Sequence, residues 1–262
     1  MEEIMGNAML VSALTIGAVM VFTWIVSLMV HNASIVDIVW GAGFAINSWV
    51  LAVTIDGDAG RQILVAVLVG VWGMRLAGYL AKRNIGHGED WRYVAMRKKQ
   101  GARFPVMSLI TVFGLQGVLM WLVSLPVMFA NADSTPGVGP IAVMGILVWL
   151  VGFGFEAIGD LQLARFKKNP ANQGKVMDQG LWSLTRHPNY FGDALLWWGI
   201  GIVAAETGSG VIGFIGPVVM TYLLMRVSGV PILEKSLHRR REGYAEYVAK
   251  TSGFFPRPPK KI

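Results

Sequence analysis

The sequence predicts an all-α membrane protein with seven transmembrane helices, the N-terminus outside, the C-terminus cytosolic, and a C-terminal amphipathic helix. Three observations support this fold class. Of the 262 residues, 54% are hydrophobic and only 15% are charged, whereas soluble domains carry roughly 25% charged residues. Apolar runs long enough to span a bilayer recur along the chain. Nearly all basic residues lie in the segments on one side of the membrane.

Each predicted span is a mainly apolar run close to the roughly 20 residues that a helix needs to cross a bilayer. The seven runs lie near residues 8–30, 35–55, 61–82, 104–130, 140–163, 189–206 and 210–228. Polar, turn-rich segments separate them, and the last two runs are short and close together. After the last run, residues 231–250 have the pattern of an amphipathic helix, with Pro231 in its first turn.

The basic residues predict the orientation. With the N-terminus outside, the cytosolic segments are 31–34, 82–103, 164–188 and everything after Arg226. All but two of the 23 Lys and Arg residues then lie in or beside these segments. The exceptions are Arg61, which is outside, and Arg75, which lies within a span. This is the positive-inside distribution, so the net charge of +7 indicates topology and no nucleic-acid binding is expected.

The residue inventory excludes several kinds of chemistry. The chain has no cysteine, which rules out disulfides and thiolate nucleophiles. Its four histidines are far apart, so no metal site is predicted. Gly152 and Gly154 look like the start of a GxGxxG dinucleotide fingerprint, but the third glycine is missing and the pair lies in mid-span. The acidic start, Glu2-Glu3, is unlike a secretory signal, so the first apolar run is expected to remain in the protein.

Ionisable residues inside the spans mark the candidate site, because burying them in a bilayer is costly and usually functional. They are Asp37, Arg75, Glu156, Asp160 and Asp193, and each falls in the cytosolic half of its span. The i,i+4 spacing places three pairs on shared helix faces: Glu156 with Asp160, Asn189 with Asp193, and Arg75 with Tyr79. With Trp40 and Trp72 on the same helices, these residues predict a pocket that opens to the cytosol.

The loops 82–103 and 164–188 are the two long basic segments beside this pocket. Lys and Arg side chains pair with phosphates, and neighbouring carboxylates suit ribose hydroxyls. The sequence therefore predicts a polyanionic nucleotide cofactor, bound by a membrane-embedded site rather than by a Rossmann domain.

Two segments carry a recognisable pattern. The first is WGMRLAGYL at 72–80, followed by GEDWRY at 88–93. The second is GLWSLTRHPNYFGD at 180–193, which continues into Glu234, Tyr244 and Tyr247. Together they resemble the steroid 5-alpha-reductase superfamily, in its bacterial branch of small membrane proteins. The Arg-His-Pro-Asn-Tyr core at 186–190 also occurs in the related sterol reductases and isoprenylcysteine methyltransferases.

The resemblance implies a seven-helix membrane reductase that takes hydride from NADPH and reduces the C=C bond of a lipophilic enone, such as a 3-oxo-Δ4 steroid. It implies one domain over residues 1–262, with 1–130 mainly on the substrate side and 140–256 mainly on the cofactor side. Asp37 and Tyr79 are the candidates for polarising the ketone, because a buried, protonated Asp37 or a phenol would stabilise the enolate oxygen. The predicted substrate contacts are Trp40, Trp72 and Glu156.

The predicted cofactor contacts fall into three groups. Acidic and amide contacts to the nicotinamide and ribose are implied for Asp160, Asn189 and Asp193. Basic contacts to the phosphates are implied for Arg75, Lys167 and Lys175. The remaining predicted contacts are Arg83, Arg92, Arg186, His187, Tyr190, Glu234, His238 and Tyr244. Lysines stand at 167 and 175 where the animal enzymes have arginines, and lysine lacks the bidentate fork of arginine.

Two other functions fit parts of the sequence. An S-adenosylmethionine-dependent methyltransferase acting on a lipid or an isoprenylcysteine fits the Arg-His-Pro core equally well. A membrane transporter is the alternative of another class, although transporter sites lie nearer the midplane and between repeats. A monomer in a lipid bilayer is expected, in the cytoplasmic membrane if the protein is bacterial, with the cofactor site facing the cytosol.

Overall fold

The computed structural model of the chain describes residues 2–227, 229–231, 234 and 243–260. Apart from one isolated bridge, the described residues form helices and loops without a β-strand. The α-helices are α1 (Glu2–Met29), α2 (Ile35–Thr54), α3 (Ala59–Asn84), α4 (Trp91–Gln100), α5 (Phe104–Ser108), α6 (Leu115–Val123), α7 (Leu125–Ala132), α8 (Pro140–Lys168), α9 (Leu181–Leu184), α10 (Pro188–Ala204), α11 (Ile215–Tyr222) and α12 (Tyr244–Lys250).

Six helical segments in the described residues are long and apolar enough to cross a membrane, which makes this a multi-pass membrane protein. They are Glu2–Met29, Ile35–Thr54, Ala59–Asn84, Trp91–Val123, Pro140–Lys168 and Gly208–Val227. The predicted span at 189–206 is helix α10, which has 17 residues. At 1.5 Å per residue it is about 26 Å long, short of the roughly 30 Å hydrocarbon core. The seven-span count and the orientation stay predictions.

The segment Trp91–Val123 is bent rather than one straight helix. Its 33 residues would extend to about 50 Å, well beyond the hydrocarbon core. Helix α4 ends at Gly101, whose φ of 55° requires a left-handed conformation that glycine adopts readily. A short 3₁₀ turn, Gly101–Arg103, then leads into α5. Helix α4 is therefore separate from the part of the chain that crosses the apolar core.

The prediction of one continuous helix over 231–250 is wrong in its length. Gly243 has a φ of 75°, and α12 begins immediately after it. A left-handed residue ends an α-helix, because the following peptide no longer points along the helix axis. Among the described residues of this range, 231 and 234 are helical before the break at Gly243, and α12 follows it.

The chain divides into two compact units. Unit 1 comprises residues 1–139 and 204–215, and unit 2 comprises residues 140–203 and 216–262. In unit 1, α2 and α3 pack closely at Gly41 and Gly73, where a methyl group on either residue would lie within 2.5 Å of the other's carbonyl oxygen. The indole Nε1 of Trp24 donates to the Pro105 carbonyl at 2.9 Å, which joins α1 to the fourth span.

Arg61 is buried at the end of unit 1 remote from α4, with 1% of its surface exposed. Its guanidinium donates to the carbonyl oxygens of Ala130, Asp133 and Thr135 at 3.0, 2.6 and 3.0 Å. The Asp133 carboxylate lies 3.6 Å away. Arg61 therefore satisfies the carbonyls of the 130–135 turn, which explains why it stands apart from the other basic residues.

Unit 2 is organised by contact between α8 and α10 at four glycines, Gly145, Gly152, Gly192 and Gly199, which we call the glycine interface. A methyl group on Gly152 would lie 2.4 Å from the backbone nitrogen of Leu196, and one on Gly192 would lie 2.4 Å from that of Glu156. Gly145 and Gly199 face each other in the same way. Small residues allow membrane helices to approach this closely where lipid supplies no hydrophobic driving force.

The glycine interface predicts opposite effects for two neighbouring glycines of α8. Gly152→Ala should destabilise the protein by about 1–3 kcal/mol, because the added methyl group overlaps the α10 backbone. Gly154→Ala is the matched control, since a methyl group there meets no atom within 4 Å and alanine favours a helix by up to about 1 kcal/mol. Thermal unfolding in detergent measures both. Equal midpoints for the two variants would contradict the interface.

Candidate functional site

A cavity of about 570 Å³ lies within unit 2 and is called here the unit 2 pocket. Its volume falls in the range of small-molecule sites. It is lined by Leu163, Phe166, Lys167, Lys168, Asn169, Pro170, Asn172, Gln173, Lys175, Val176, Met177, Trp182, Arg186, His187, Tyr244 and Tyr247. The lining therefore combines four Lys and Arg side chains with four large aromatic ones.

The loop between Lys168, at the end of α8, and Lys175 is shaped by its own asparagines. The Asn169 side chain accepts from the backbone N–H of Ala171 at 3.0 Å. Asn172 Nδ2 donates to the Phe166 carbonyl oxygen, also at 3.0 Å. Such local side-chain bonds replace helical ones and turn the chain. The turn begins immediately after Lys168 and brings Lys175 to the same pocket.

Polar side chains of α8 and α10 meet just beyond the glycine interface. Asn189 Nδ2 donates to Asp160 Oδ1 at 3.1 Å. A methyl group on Gly159 would lie 3.2 Å from the ring of Pro188, so the two helices remain in close contact here. Trp182 Nε1 donates to the Gly159 carbonyl at 3.0 Å. This places the indole of a pocket-lining residue against the helix that carries Asp160.

Arg186 joins three segments of unit 2. Its Nε and Nη2 atoms both lie 2.8 Å from Glu234 Oε1. Its Nη1 donates to the carbonyl oxygens of Thr251 at 2.7 Å and Val248 at 3.3 Å, which are at the C-terminal end of α12. Cations satisfy helix C-termini in this way. Arg186 therefore lines the pocket while most of its donors are used by the protein itself.

His187 and Glu234 form the adjacent contact. His187 is 2% exposed, its Nε2 lies 3.2 Å from Glu234 Oε1, and its ring stacks on Tyr190 with centroids 5.7 Å apart. Partial burial acts to raise the pKa of Glu234. Hydrogen bonds from His187 and Arg186 and the Arg186 charge outweigh burial and lower that pKa to about 2. Glu234 is therefore an ionised carboxylate that balances Arg186.

The two tyrosines of α12 present neutral phenols to the pocket. Burial, together with the Glu234 charge, raises the pKa of Tyr244 to about 12. Burial likewise raises the pKa of Tyr247, whose hydroxyl donates to the Trp182 carbonyl at 2.5 Å. Both side chains therefore keep their protons at neutral pH, and Tyr247 uses its proton for this bond.

Unit 1 contains a separate polar cluster around Asp37. Arg92 Nη2 donates to Asp37 Oδ2 at 2.7 Å, and the Tyr93 hydroxyl donates to Asp37 Oδ1 at 2.8 Å. Gln116 Nε2 lies 3.4 Å from the Tyr93 oxygen, and Arg92 Nε also bonds Asp90 at 2.8 Å. Both Asp37 oxygens are acceptors, which is the pattern of a carboxylate. Asp37 therefore lies within hydrogen-bond reach of Arg92 and Tyr93, and its predicted role as a protonated donor stays a prediction.

The other predicted residues of unit 1 lie on α2 and α3. Tyr79 is half-buried, with the Arg83 guanidinium 5.8 Å from its ring centroid. Trp72 is fully buried, with its ring edge-on to Phe44, and Phe44 in turn packs edge-on to Trp40. Arg75 is half-buried. The substrate contacts predicted for the two tryptophans stay predictions.

Most of the predicted cofactor residues of unit 2 gather at or beside the unit 2 pocket. Lysines 167 and 175, with Arg186, His187 and Tyr244, line it, while Glu234 and Tyr190 contact its wall. Glu156 and Asp193 are buried on α8 and α10. His238 lies outside the described residues. Arg83 and Arg92 belong to unit 1 and are described there.

Sequence reasoning missed four residues of these clusters. Lys168, Trp182 and Tyr247 line the unit 2 pocket, and Tyr93 bonds Asp37 in unit 1. A signal was present for three of them. Trp182 and Tyr93 stand inside the two recognisable segments, and Tyr247 follows Tyr244 at the i,i+3 spacing that shares a helix face.

Comparison with known proteins supplies the family. Residues 23–251 match the family described as a protein of unknown function, DUF1295. The chain is a member of the DUF1295 family. This DUF1295 chain is also 39% identical over 69 residues to the protein named "Probable O-methyltransferase ustE" from Ustilaginoidea virens, a match covering 26% of this chain and 24% of that protein. No solved structure gives a significant match.

The Glu234 contacts predict a defined response to acid. Because the folded-state pKa is about 2 and the ordinary value is near 4.5, the carboxylate stabilises the fold above about pH 4.5, and this contribution is lost as the pH falls toward 2. The unfolding temperature should therefore fall more steeply on acidification in the wild type than in Glu234→Gln. Glu3→Gln, at an exposed position at the start of α1, is the control and should keep the wild-type slope. A wild-type slope in Glu234→Gln would contradict the assignment.

Proposed function

We propose that this protein reduces the C=C bond of a lipophilic enone, such as a 3-oxo-Δ4 steroid, with NADPH held in the unit 2 pocket. The observation that carries the proposal is the lining of that pocket, where four Lys and Arg side chains lie beside four large aromatic side chains. The DUF1295 family is related to steroid 5-alpha-reductase-like membrane proteins. This relation and the recognisable segments at 72–93 and 180–193 support the same reaction class.

The lining of the pocket suits a phosphorylated dinucleotide. Lys167, Lys168 and Lys175 offer ammonium groups for the phosphates. Trp182 and the α12 tyrosines offer flat surfaces against which the rings of a nucleotide can pack. The Asp160–Asn189 pair, which is 3.1 Å apart, is not among the residues that line the pocket, and its predicted contacts with the nicotinamide and ribose stay predictions. Arg186 is bonded to Glu234 and to the Thr251 carbonyl. The lysines are therefore the residues proposed to bind the phosphates.

Bound NADPH would supply the hydride, and the protein must position the enone and polarise its ketone group. Adding hydride to the β-carbon of an enone moves negative charge onto the ketone oxygen, and a proton must then reach the α-carbon. A hydrogen-bond donor aimed at that oxygen stabilises the enolate. In unit 1 the Tyr93 hydroxyl carries a proton, while Asp37, Arg92 and Gln116 hold it in place. We propose Tyr93 for this role in addition to Tyr79; its one O–H, which faces Asp37 in this structure, would turn from that carboxylate to the ketone oxygen.

A methyltransferase using S-adenosylmethionine is the second candidate. The match to the protein named as a probable O-methyltransferase favours it. The same pocket would hold the cofactor, with the Glu234–His187 contact beside it. A basic lining suits S-adenosylmethionine less well, because that cofactor carries a positive sulfonium and no phosphate.

Ligand-dependent stability separates the two candidates. A ligand that binds only the folded state raises its stability by about 2.7 kcal/mol at a hundredfold excess over Kd. We expect NADPH, and not S-adenosylmethionine, to raise the unfolding temperature of the detergent-purified protein. Lys167→Gln and Lys175→Gln should each weaken NADPH binding about tenfold, since a bond to a charged group contributes roughly 1.5 kcal/mol or more. Lys260→Gln is the control. Stabilisation by S-adenosylmethionine alone would establish the methyltransferase instead.

Turnover tests the reductase and its tyrosine. NADPH oxidation should depend on added 3-oxo-Δ4 steroid. Tyr93→Phe should lower kcat by about 10²–10³, the usual loss for a donor at a developing oxyanion, and should leave the thermal shift by NADPH unchanged. Tyr79→Phe is compared under the same conditions. Its kcat should fall less than that of Tyr93→Phe, because the Tyr79 ring contacts the Arg83 guanidinium. Enone-independent NADPH consumption would contradict the reaction.

A further inference from the structure

Helix α4 has two chemically different faces, both within unit 1. Tyr93 is buried, and Arg92 and Arg97 are half-buried on the face toward the other helices. Trp91, Val94, Ala95, Lys98 and Lys99 are exposed on the opposite face. At 100° per residue these five positions span an arc of about 140°. The exposed side of α4 is therefore one continuous surface, apolar toward its start and cationic toward its end.

The inward face of α4 is neutralised by three carboxylates. Arg92 is paired with Asp37 at 2.7 Å and with Asp90 at 2.8 Å. Arg97 is paired with Glu89 at 2.8 Å, and its guanidinium lies 4.2 Å from the centroid of the Phe104 ring.

The arginine bonds at Glu89 also fix the neighbouring loop. Arg97 lowers the pKa of Glu89 against the opposing effect of burial, and the same carboxylate accepts from the backbone N–H of Ala33 at 2.7 Å. Arg92 and Arg97 are thus both paired with carboxylates of unit 1. They hold the helix in place and leave its other face for a different partner.

The outward face of α4 has cations without an internal counter-charge. Among the residues that the structure describes, neither Lys98 nor Lys99 has a carboxylate within ion-pair distance. Val94, about one turn before Lys98, is 48% exposed, and Trp91, about two turns before it, is 67% exposed. An exposed tryptophan followed by unpaired lysines is the composition of a helix that lies in a membrane interface, where the indole sits at headgroup level and ammonium groups reach phosphates.

The dimensions of the fourth span place α4 at that level. The segment Trp91–Val123 exceeds the hydrocarbon core by about 20 Å, or roughly 13 residues. The bend at Gly101 separates the ten residues of α4 from the part that crosses. The surplus length therefore corresponds to α4 and the turn that follows it.

We propose that the outward face of α4 binds the phosphate headgroups of anionic phospholipids in the adjoining leaflet. Lys98 and Lys99 contact the phosphates, while Trp91 and Val94 enter the boundary between headgroups and acyl chains. Because the inward face of the same helix bonds Asp37, a bound lipid also restrains the helix that positions this carboxylate. The proposal concerns lipid binding alone and does not depend on the reaction that the protein catalyses.

The test compares bound lipids on the purified full-length protein. Native mass spectrometry from micelles with equal amounts of phosphatidylglycerol and phosphatidylcholine gives the ratio of the two lipids retained. We expect the wild type to prefer phosphatidylglycerol. The double variant Lys98→Gln with Lys99→Gln should lose about fivefold in this preference for each lysine, the factor that corresponds to roughly 1 kcal/mol per basic residue at an anionic surface. The loss should shrink as ionic strength rises.

Two controls assign any loss to this helix. Lys250→Gln with Lys260→Gln removes the same charge from unit 2 and should keep the wild-type ratio. Lys98→Arg with Lys99→Arg keeps the charge on α4 and should keep the preference. Equal losses in the two glutamine variants, or no preference in the wild type, would overturn the proposal. Displacement of phosphatidylglycerol by inorganic phosphate at constant ionic strength would also overturn it, because the site would then recognise a free anion rather than a lipid.

Discussion

Close backbone contact between α8 and α10 is the constraint on which unit 2 depends. The glycine interface brings the two helices together at Gly145, Gly152, Gly192 and Gly199, where no side chain larger than hydrogen fits. In a bilayer such packing replaces the hydrophobic force that joins helices in water. Because the two helices are in register here, Asp160 meets Asn189 one turn further along. The glycine interface therefore sets the position of the Asp160–Asn189 pair.

Arginine and lysine have different tasks in this chain. Arg61, Arg92, Arg97 and Arg186 each bond to carbonyl or carboxylate oxygens of the protein, and all but Arg97 thereby join segments that are distant in sequence. Lysines 98, 99, 168 and 175 are exposed. The planar guanidinium has several donors in fixed directions, whereas the ammonium is a mobile point charge. Arginine is therefore suited to fixed hydrogen bonds within the protein, and the exposed lysines are available to bind phosphates of a ligand or lipid.

The periodic and compositional parts of the fold could be predicted because they depend on local sequence. The lengths of the apolar runs predicted the long helices. The cost of burying a charge in a membrane identified Asp37, Glu156, Asp160 and Asp193 as candidate functional residues. Local patterns failed where one residue changes the backbone. The amphipathic pattern runs through Gly243, but this residue has a positive φ and a separate helix, α12, begins after it; periodicity contains no information about φ.

Composition alone therefore established a multi-pass helical protein with basic loops and buried carboxylates, because lipid selects residues by hydrophobicity and charge. Which side chains bond to each other was decided only by the three-dimensional arrangement. Asp37 bonds Tyr93 across 56 positions of sequence, and Arg186 reaches Glu234 across 48. Gly152 and Gly154 look alike in sequence, yet one touches α10 and the other touches nothing. Such differences depend on how helices cross, which is set by packing between distant segments and is not encoded in any single one of them.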